Sequence, residues 1–244
     1  MGIHLIADEG NSFTKIAWFE NDQLSVKQNL TPSEWMAFQP SGYQACSDIH
    51  FLFSSVKQAN ASLPDWAREC ASAFILSHLT PLPIGISYET PLTLGTDRIA
   101  NAVGAMKLAG STCLVVDCGS CLTFTLLRDG LLEGGSIAPG LHMRFQALNA
   151  FTGNLPMISE WDFLPSMIGK NTKESLVNGV IHGIVAELDE SIARWRSEIG
   201  ELDVILTGGD STFFAQLQKS RIFANPDLTL IGLNEILKFN LEKH

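Results

Sequence analysis

The chain has 244 residues, 45% of them hydrophobic and 17% charged, which suits one large globular domain or two packed smaller ones and excludes a disordered chain. A formal net charge of -10 excludes sequence-blind nucleic-acid binding, which needs a basic footprint, but permits an anionic ligand held by a local loop. No stretch reaches the roughly 18–20 apolar residues of a membrane span, and the start lacks the pattern of a secretory signal, so a cytoplasmic protein without a membrane partner is expected.

In chain order, Ile3 to Ala7 reads as a buried strand and Phe13 to Phe19 as its hairpin partner, with Asp8 and Gly10-Asn11 at the turn. Ile49 to Phe53 is another apolar strand. Asn60-Ala61-Ser62 spells a glycosylation sequon, expected to be idle without a signal peptide. Pro64 suits a first helical position, predicting a helix to about Leu79. Pro81, Pro83 and Pro91 predict an extended connection before a helix from Thr96 to Leu108 that ends near Gly110. Cys113 to Val116 and Leu122 to Leu127 form a second hairpin across Gly119-Ser120, and Asp129-Gly130 turns into a short strand at Leu131 and Leu132. "GGSIAPG" reads as a loop, and Pro139 to Ala150 as a helix. A helix capped by Thr172 should run to about Ser197, because Leu176, Val180, Ile184, Leu188 and Ile192 recur every four residues. The strand Val204 to Leu206, a turn at Gly208-Gly209 and a short helix from Ser211 follow.

Strand, Asp, x, Gly, small polar, hairpin therefore occurs twice, at "DEGNS" and "DCGSC". This internal duplication predicts an α/β fold of two halves, each a mixed sheet flanked by helices, with a cleft between them. The halves are expected at residues 1–110 and 111–244.

The chemistry of these turns suits a nucleotide. A tight Gly turn brings backbone amides close to phosphate oxygens, and a carboxylate at a strand end can hold the cation that neutralises them. Lys15 adds a point charge, or is a solvated strand-edge lysine. "ILTGGD", Ile205 to Asp210, would let a flat base approach the backbone. "GKNT" is not a Walker loop, since Leu164 stands where the first glycine belongs. Cys118 and Cys121 spell C-x-x-C, but the sequence offers no second pair or nearby His for zinc, and the odd, scattered cysteines fit reduced thiols. His142 and His182 read as structural. In "YETPLTLGTDRIAN", Asp97 is either a first-turn carboxylate favoured by the helix dipole, with Arg98 as its surface partner, or a general base beside a carboxylate clamp. Residue types alone leave these two readings level.

Taken together, "DEGNSFTK", "YETPLTLGTDRIAN", "VVDCGSCLTF", "GGSIAPG", "FTGNLP", "IGKNTKESLVNGVIHG" and "LTGGD", in this order, resemble the type III pantothenate kinases. These belong to the superfamily of acetate and sugar kinases, Hsp70 and actin, so the resemblance implies actin-like (ribonuclease H-like) halves. It implies ATP-dependent phosphorylation of pantothenate to 4'-phosphopantothenate, the first step of coenzyme A biosynthesis, with Mg2+ and with K+ or NH4+. By position, Asp8, Glu9, Gly10, Asn11, Ser12, Phe13, Thr14, Lys15 and Ser120 would bind ATP. Tyr88, Gly95, Thr96, Asp97, Arg98 and Thr172 would bind pantothenate, Asp97 being the catalytic base, and Asp117 would hold the monovalent cation. The resemblance also implies a homodimer in which the Thr172 segment of one subunit completes the other's site. Departures from the family pattern are Glu9, Ser120-Cys121 and Thr125. The alternatives are a kinase of another small hydroxy acid or sugar, or a catalytically idle regulatory relative.

Overall fold

The computed structural model describes residues 2–10, 13–40, 46–56, 62–163, 165–217 and 222–243. Asn11 and Ser12 of the first turn, and Asn60 and Ala61 of the sequon, lie outside the described residues. The chain divides into two compact units. One comprises Met1–Gly110, Gly130–Glu133 and Asp227–His244, the other Ser111–Asp129 and Gly134–Pro226.

The first unit is built on β1 (Ile3–Glu9), β2 (Thr14–Glu20), β3 (Gln23–Leu30), β4 (Ile49–Ser55) and β5 (Ser72–Ile75), in the sheet order β3-β2-β1-β4-β5. β1 runs antiparallel to β2 and parallel to β4, which is parallel to β5. Leu5, Ile6 and Ala7 are all buried, so β1 is covered on both faces, as a central strand must be. The short helix α1 (Pro32–Ala37) follows β3, opened by a reciprocal capping box between Thr31 and Glu34.

β6 (Gly85–Ile86) pairs parallel with Leu131 and Leu132, the first residues of β9 (Leu131–Pro139). The second unit is built on β7 (Cys113–Cys118), β8 (Cys121–Arg128), the rest of β9, β10 (Asp203–Thr207) and β11 (Phe223–Ala224), in the order β9-β8-β7-β10-β11. β7 runs antiparallel to β8 and parallel to β10, which is parallel to β11. Strand order and these directions repeat those of the first unit, so the duplication expected from the two Asp-x-Gly turns is present in the sheets. Helices α3 (Leu141–Ala150) and α4 (Thr172–Ile199) pack on this sheet through Leu141, Phe145, Val177, Ile181, Ile184 and Leu188. α5 (Ser211–Leu217) follows β10.

The structure corrects the sequence reading in four places. Pro64 to Leu79 is no α-helix: Pro64 precedes a 3-10 turn at Asp65–Glu69, and Ser72–Ile75 becomes a strand. Pairing with β4 and the tilted packing of Trp66 against Phe51, at 4.7 Å between ring centroids, outweigh helix propensity there. Most of "GGSIAPG" continues β9, because Gly134 and Gly135 adopt φ of 141° and 150° within the strand. Asn171, not Thr172, caps α4, its side chain accepting from the Glu174 amide at 2.9 Å. Finally, residues 228–241 form an unforeseen helix, α6 (Leu228–Leu241), which clusters with the first unit although the sequence placed it in the second half.

α6 lies against α2 (Thr96–Ala109), and the two backbones meet at glycines. A Cβ on Gly232 would collide with the Ala100 carbonyl, and one on Gly104 would press on Leu228 O and Gly232 N. Thr229 Oγ1 donates to Asn101 Oδ1 at 2.7 Å between them. α6 also covers β1, where His4 Nδ1 lies 2.7 Å from Asn234 Oδ1. The fold thereby fixes the start of α2, where the Asp97 motif sits.

Candidate active site

Asp8 stands near the end of β1, level with Lys15 on β2 and Ser54 on β4. Laterally paired residues project from the same sheet face, so this row sets a carboxylate between an ammonium and a hydroxyl. Glu9, next along the strand, engages the Ser55 hydroxyl, which donates to Glu9 Oε2 at 2.6 Å. Its carboxylate is thereby tied to β4. The Gly10 amide donates to Phe13 O at 3.0 Å and closes the turn, so this amide is committed to the protein. Phe13 is exposed and Thr14 buried.

The Asp97 motif opens α2. Gly95 is the N-cap residue and Thr96 the first helical residue. Asp97 Oδ1 accepts from the Arg98 amide at 2.8 Å, which folds the carboxylate back over the helix start. A Cβ on Gly95 would collide with that Oδ1, so glycine is what lets the carboxylate lie there. Thr96 is buried and accepts from Ser54 Oγ at 3.4 Å, joining the helix start to the Asp8 row. Asp97, Thr96 and Gly95 line a cavity of about 330 Å³ with Val56, His78 and Leu94. Arg98 is not a surface residue: it is 5% exposed, with its guanidinium carbon 5.8 Å from the centre of the Tyr88 ring. Neither Arg98 nor Tyr88 lines the cavity.

In the second unit Asp117, near the end of β7, is level with Thr207 on β10 and Thr123 on β8. A Cβ on Gly208 would collide with Asp117 Oδ1, and one on Gly119 would come within 3.1 Å of it, so the carboxylate rests between two glycines. Gly208 has a φ of 89°. Ser120 is exposed, and its carbonyl accepts from the Gly140 amide at 3.2 Å, bringing the start of α3 against this turn. The Asp210 amide donates to Cys118 O at 3.0 Å. Thr172, exposed on α4, belongs to this unit, not to that of the Asp97 motif.

A cavity of about 340 Å³ opens here, lined by Leu141, His142, Trp161, Asp210 and Phe213 among others. Burial raises the Asp210 carboxyl above its ordinary value, partly offset by His142. Sequence reasoning found the glycines of "LTGGD" but neither Trp161 nor Phe213, which converge from separate segments with their rings 6.2 Å apart. Burial drives the Cys118 thiol far above its usual range, which removes the C-x-x-C pair as a ready thiolate site.

The sequence profile of the type III pantothenate kinases matches residues 4–194. The chain belongs to that family. A type III pantothenate kinase of Porphyromonas gingivalis is 37% identical over 254 residues, covering 99% of this chain and 100% of that one. Among solved structures, a Campylobacter jejuni chain provisionally named as a Baf family transcriptional activator superposes with a TM-score of 0.66 at 19% identity, covering 98% of this chain and 99% of that one. An Arthrobacter inorganic polyphosphate/ATP-glucomannokinase superposes with a TM-score of 0.51 at 12% identity, covering 100% of both chains. At these identities the structural matches speak for the shared fold alone, the actin-like arrangement of duplicated mixed sheets. Type III pantothenate kinases are enzymes, and the pieces "LGTDR" and "GKNT" that carried the resemblance both lie within the matched span.

Proposed function

We propose that the chain transfers the γ-phosphoryl group of ATP to the primary hydroxyl of pantothenate, giving 4'-phosphopantothenate in the first step towards coenzyme A. The observation that carries this reading is the Asp97 carboxylate, folded over the start of α2 by Gly95 and facing a cavity large enough for a small acid. With Oδ1 engaged by the Arg98 amide, Oδ2 is the atom assigned to take the proton of the attacking hydroxyl. Tyr88, Gly95, Thr96 and Arg98 are assigned to pantothenate. Arg98 is a buried guanidinium beside the Tyr88 ring, next in sequence to Asp97, and its assignment to the pantothenate carboxylate follows the family pattern. Thr172 is assigned to pantothenate from the partner subunit of a homodimer.

For ATP we assign Asp8 to Lys15 and Ser120, with Lys15 as a fixed positive charge one strand from Asp8. Phosphoryl transfer asks the protein mainly to align hydroxyl and phosphate and to offset charge on the phosphate oxygens. Among the described residues no group of three or more His, Cys, Asp or Glu is arranged to hold a metal. Magnesium is assigned to Asp8 together with the nucleotide's own phosphates, the manner in which it commonly binds. K+ or NH4+ is assigned to Asp117, whose carboxylate lies between two glycines and level with two hydroxyls, a donor set that fits a hard monovalent cation. When bound, these cations supply charge neutralisation at the phosphates. A cytoplasmic location goes with this reading, and no helix among the described residues is long and apolar enough to cross a membrane.

The test is ADP release with ATP and magnesium, with and without pantothenate, in potassium and in sodium. Turnover should require pantothenate and potassium. Asp97→Asn should lower kcat by about 10²–10⁴-fold while leaving pantothenate binding by calorimetry nearly unchanged. ADP release that ignores pantothenate, or a fully active Asp97→Asn enzyme, would overturn the assignment.

A further inference from the structure

The cavity beside Asp97 has one lining side chain to which the reaction as described gives no part, His78. Strands β1, β4 and β5 run parallel, so their carboxyl ends open on one edge of the sheet, the edge where open α/β sheets bind ligands. Asp8 stands near the end of β1, and Val56 just past the end of β4. β5 stays tied to β4 for one residue beyond its own end, the Leu76 amide donating to Phe53 O at 2.8 Å. A tight turn then carries His78. The Thr80 amide donates to Ser77 O at 3.1 Å, the Ser77 amide to Thr80 Oγ1 at 3.0 Å and the Leu79 amide to Ser77 Oγ at 3.3 Å. The backbone is thus held on both sides of His78, whose half-buried side chain reaches the cavity that Asp97 lines.

The other polar side chains of this cavity are engaged by the protein. Thr93 Oγ1 donates to Thr90 O at 2.9 Å, Thr96 Oγ1 accepts from Ser54 Oγ at 3.4 Å, and Asp97 Oδ1 accepts from the Arg98 amide at 2.8 Å. Among the described residues none hydrogen-bonds the His78 ring. The rest of the lining is apolar, from Val56, Leu92 and Leu94. Pantothenate presents its groups in a matching order. After the primary hydroxyl comes a carbon bearing two methyl groups, then a secondary hydroxyl, and only further along the amide and the carboxylate. The carboxylate is assigned to Arg98, which does not line the cavity. With the primary hydroxyl at Asp97 and the methyl groups on the apolar wall, the secondary hydroxyl is the next polar group inside the same space.

We propose that His78 is a specificity-determining residue whose imidazole hydrogen-bonds the secondary hydroxyl of the acceptor. The inference rests on the pantothenate reading and adds a contact to it. A neutral imidazole has one nitrogen that donates and one that accepts, and a hydroxyl does both, so the pair forms without any change of charge. Two anchors, Asp97 and His78, then fix how the acceptor's short chain is turned, and an acceptor without the secondary hydroxyl forgoes the second one.

The test compares kcat/KM for pantothenate with that for its analogue lacking the secondary hydroxyl, in the wild type, His78→Ala and His78→Gln, with melting temperature as the check on folding. The wild type should prefer pantothenate by about tenfold, the worth of one hydrogen bond. His78→Ala should lose about tenfold on pantothenate and nothing on the analogue, so that the preference disappears. His78→Gln, whose amide both donates and accepts, should keep part of the preference. Melting temperatures should stay near wild type, since the side chain sits in a surface turn and only half-buried. Should His78→Ala not fold, His78→Gln carries the comparison, and its losses on the two acceptors must still differ. Equal losses on both acceptors, or no loss on pantothenate, would overturn the role of His78 and leave the pantothenate reading standing. A wild type that turns over neither acceptor would overturn that reading and this contact with it.

Discussion

At the scale of single residues, the site depends on what glycines leave out. Gly95 has ordinary helix-cap angles, so strain does not require it; the room taken by Asp97 Oδ1 does. Gly95→Ala should therefore push the carboxylate off the helix start without unfolding the protein. The expected result is a fall of about 10²-fold in kcat/KM for pantothenate, with circular dichroism and melting temperature close to wild type. This detail lay only half open in the sequence. "LGTDR" marked Asp97 and Arg98, but whether Arg98 was a surface partner depended on tertiary burial, which the spacing of charges along one helix does not encode. Trp161 and Phe213 were hidden for a related reason: two aromatics in separate segments carry no shared sequence signal until the fold brings them together.

At the scale of elements, strands with a hairpin turn and helices with strong periodicity were legible, while segments whose state is decided by neighbours were not. α2 and α4 followed from their patterns. β5 did not, because four residues gain strand character only by pairing with β4. α6 escaped because its buried positions include Thr229, Asn234 and Asn240, which break the apolar stripe that sequence periodicity would show. The β4–β5 seam carries a pH dependence. His50 on β4 lies with its Nδ1 2.9 Å from Ser72 Oγ on β5 and its ring 5.9 Å from that of His4. Partial burial first, then repulsion from His4, holds its imidazole below the ordinary value. The unfolded chain then takes up the proton first as pH falls below about 6.5, so this stability is full above that value and declines below it. Melting temperature between neutral pH and about pH 5 should fall less steeply in His50→Gln than in the wild type.

At the scale of the whole molecule, the second unit exposes large apolar side chains at Ile137, Phe151, Met167 and Ile168, which lie on or between β9 and the loop before α4. Exposed apolar side chains of this size are candidates for the interface of the proposed homodimer. Sedimentation should give twice the 26.6 kDa chain mass, and Phe151→Glu with Ile168→Glu should shift it towards one chain. Pantothenate turnover should fall with it if Thr172 serves the partner's site. The division of the chain has a further consequence, in the order of synthesis. The second unit emerges from the ribosome as nearly one continuous stretch, whereas the first needs both the earliest strand and the last helix. Until residues 228–241 have been made, the face of β1 and the Gly104 surface of α2 stay without the helix that covers them. A nascent chain arrested before Asp227 should thus hold its first-made sheet open to protease, while the later-made one is free to close. The enzyme's first half is, in the time of its making, its last to be finished.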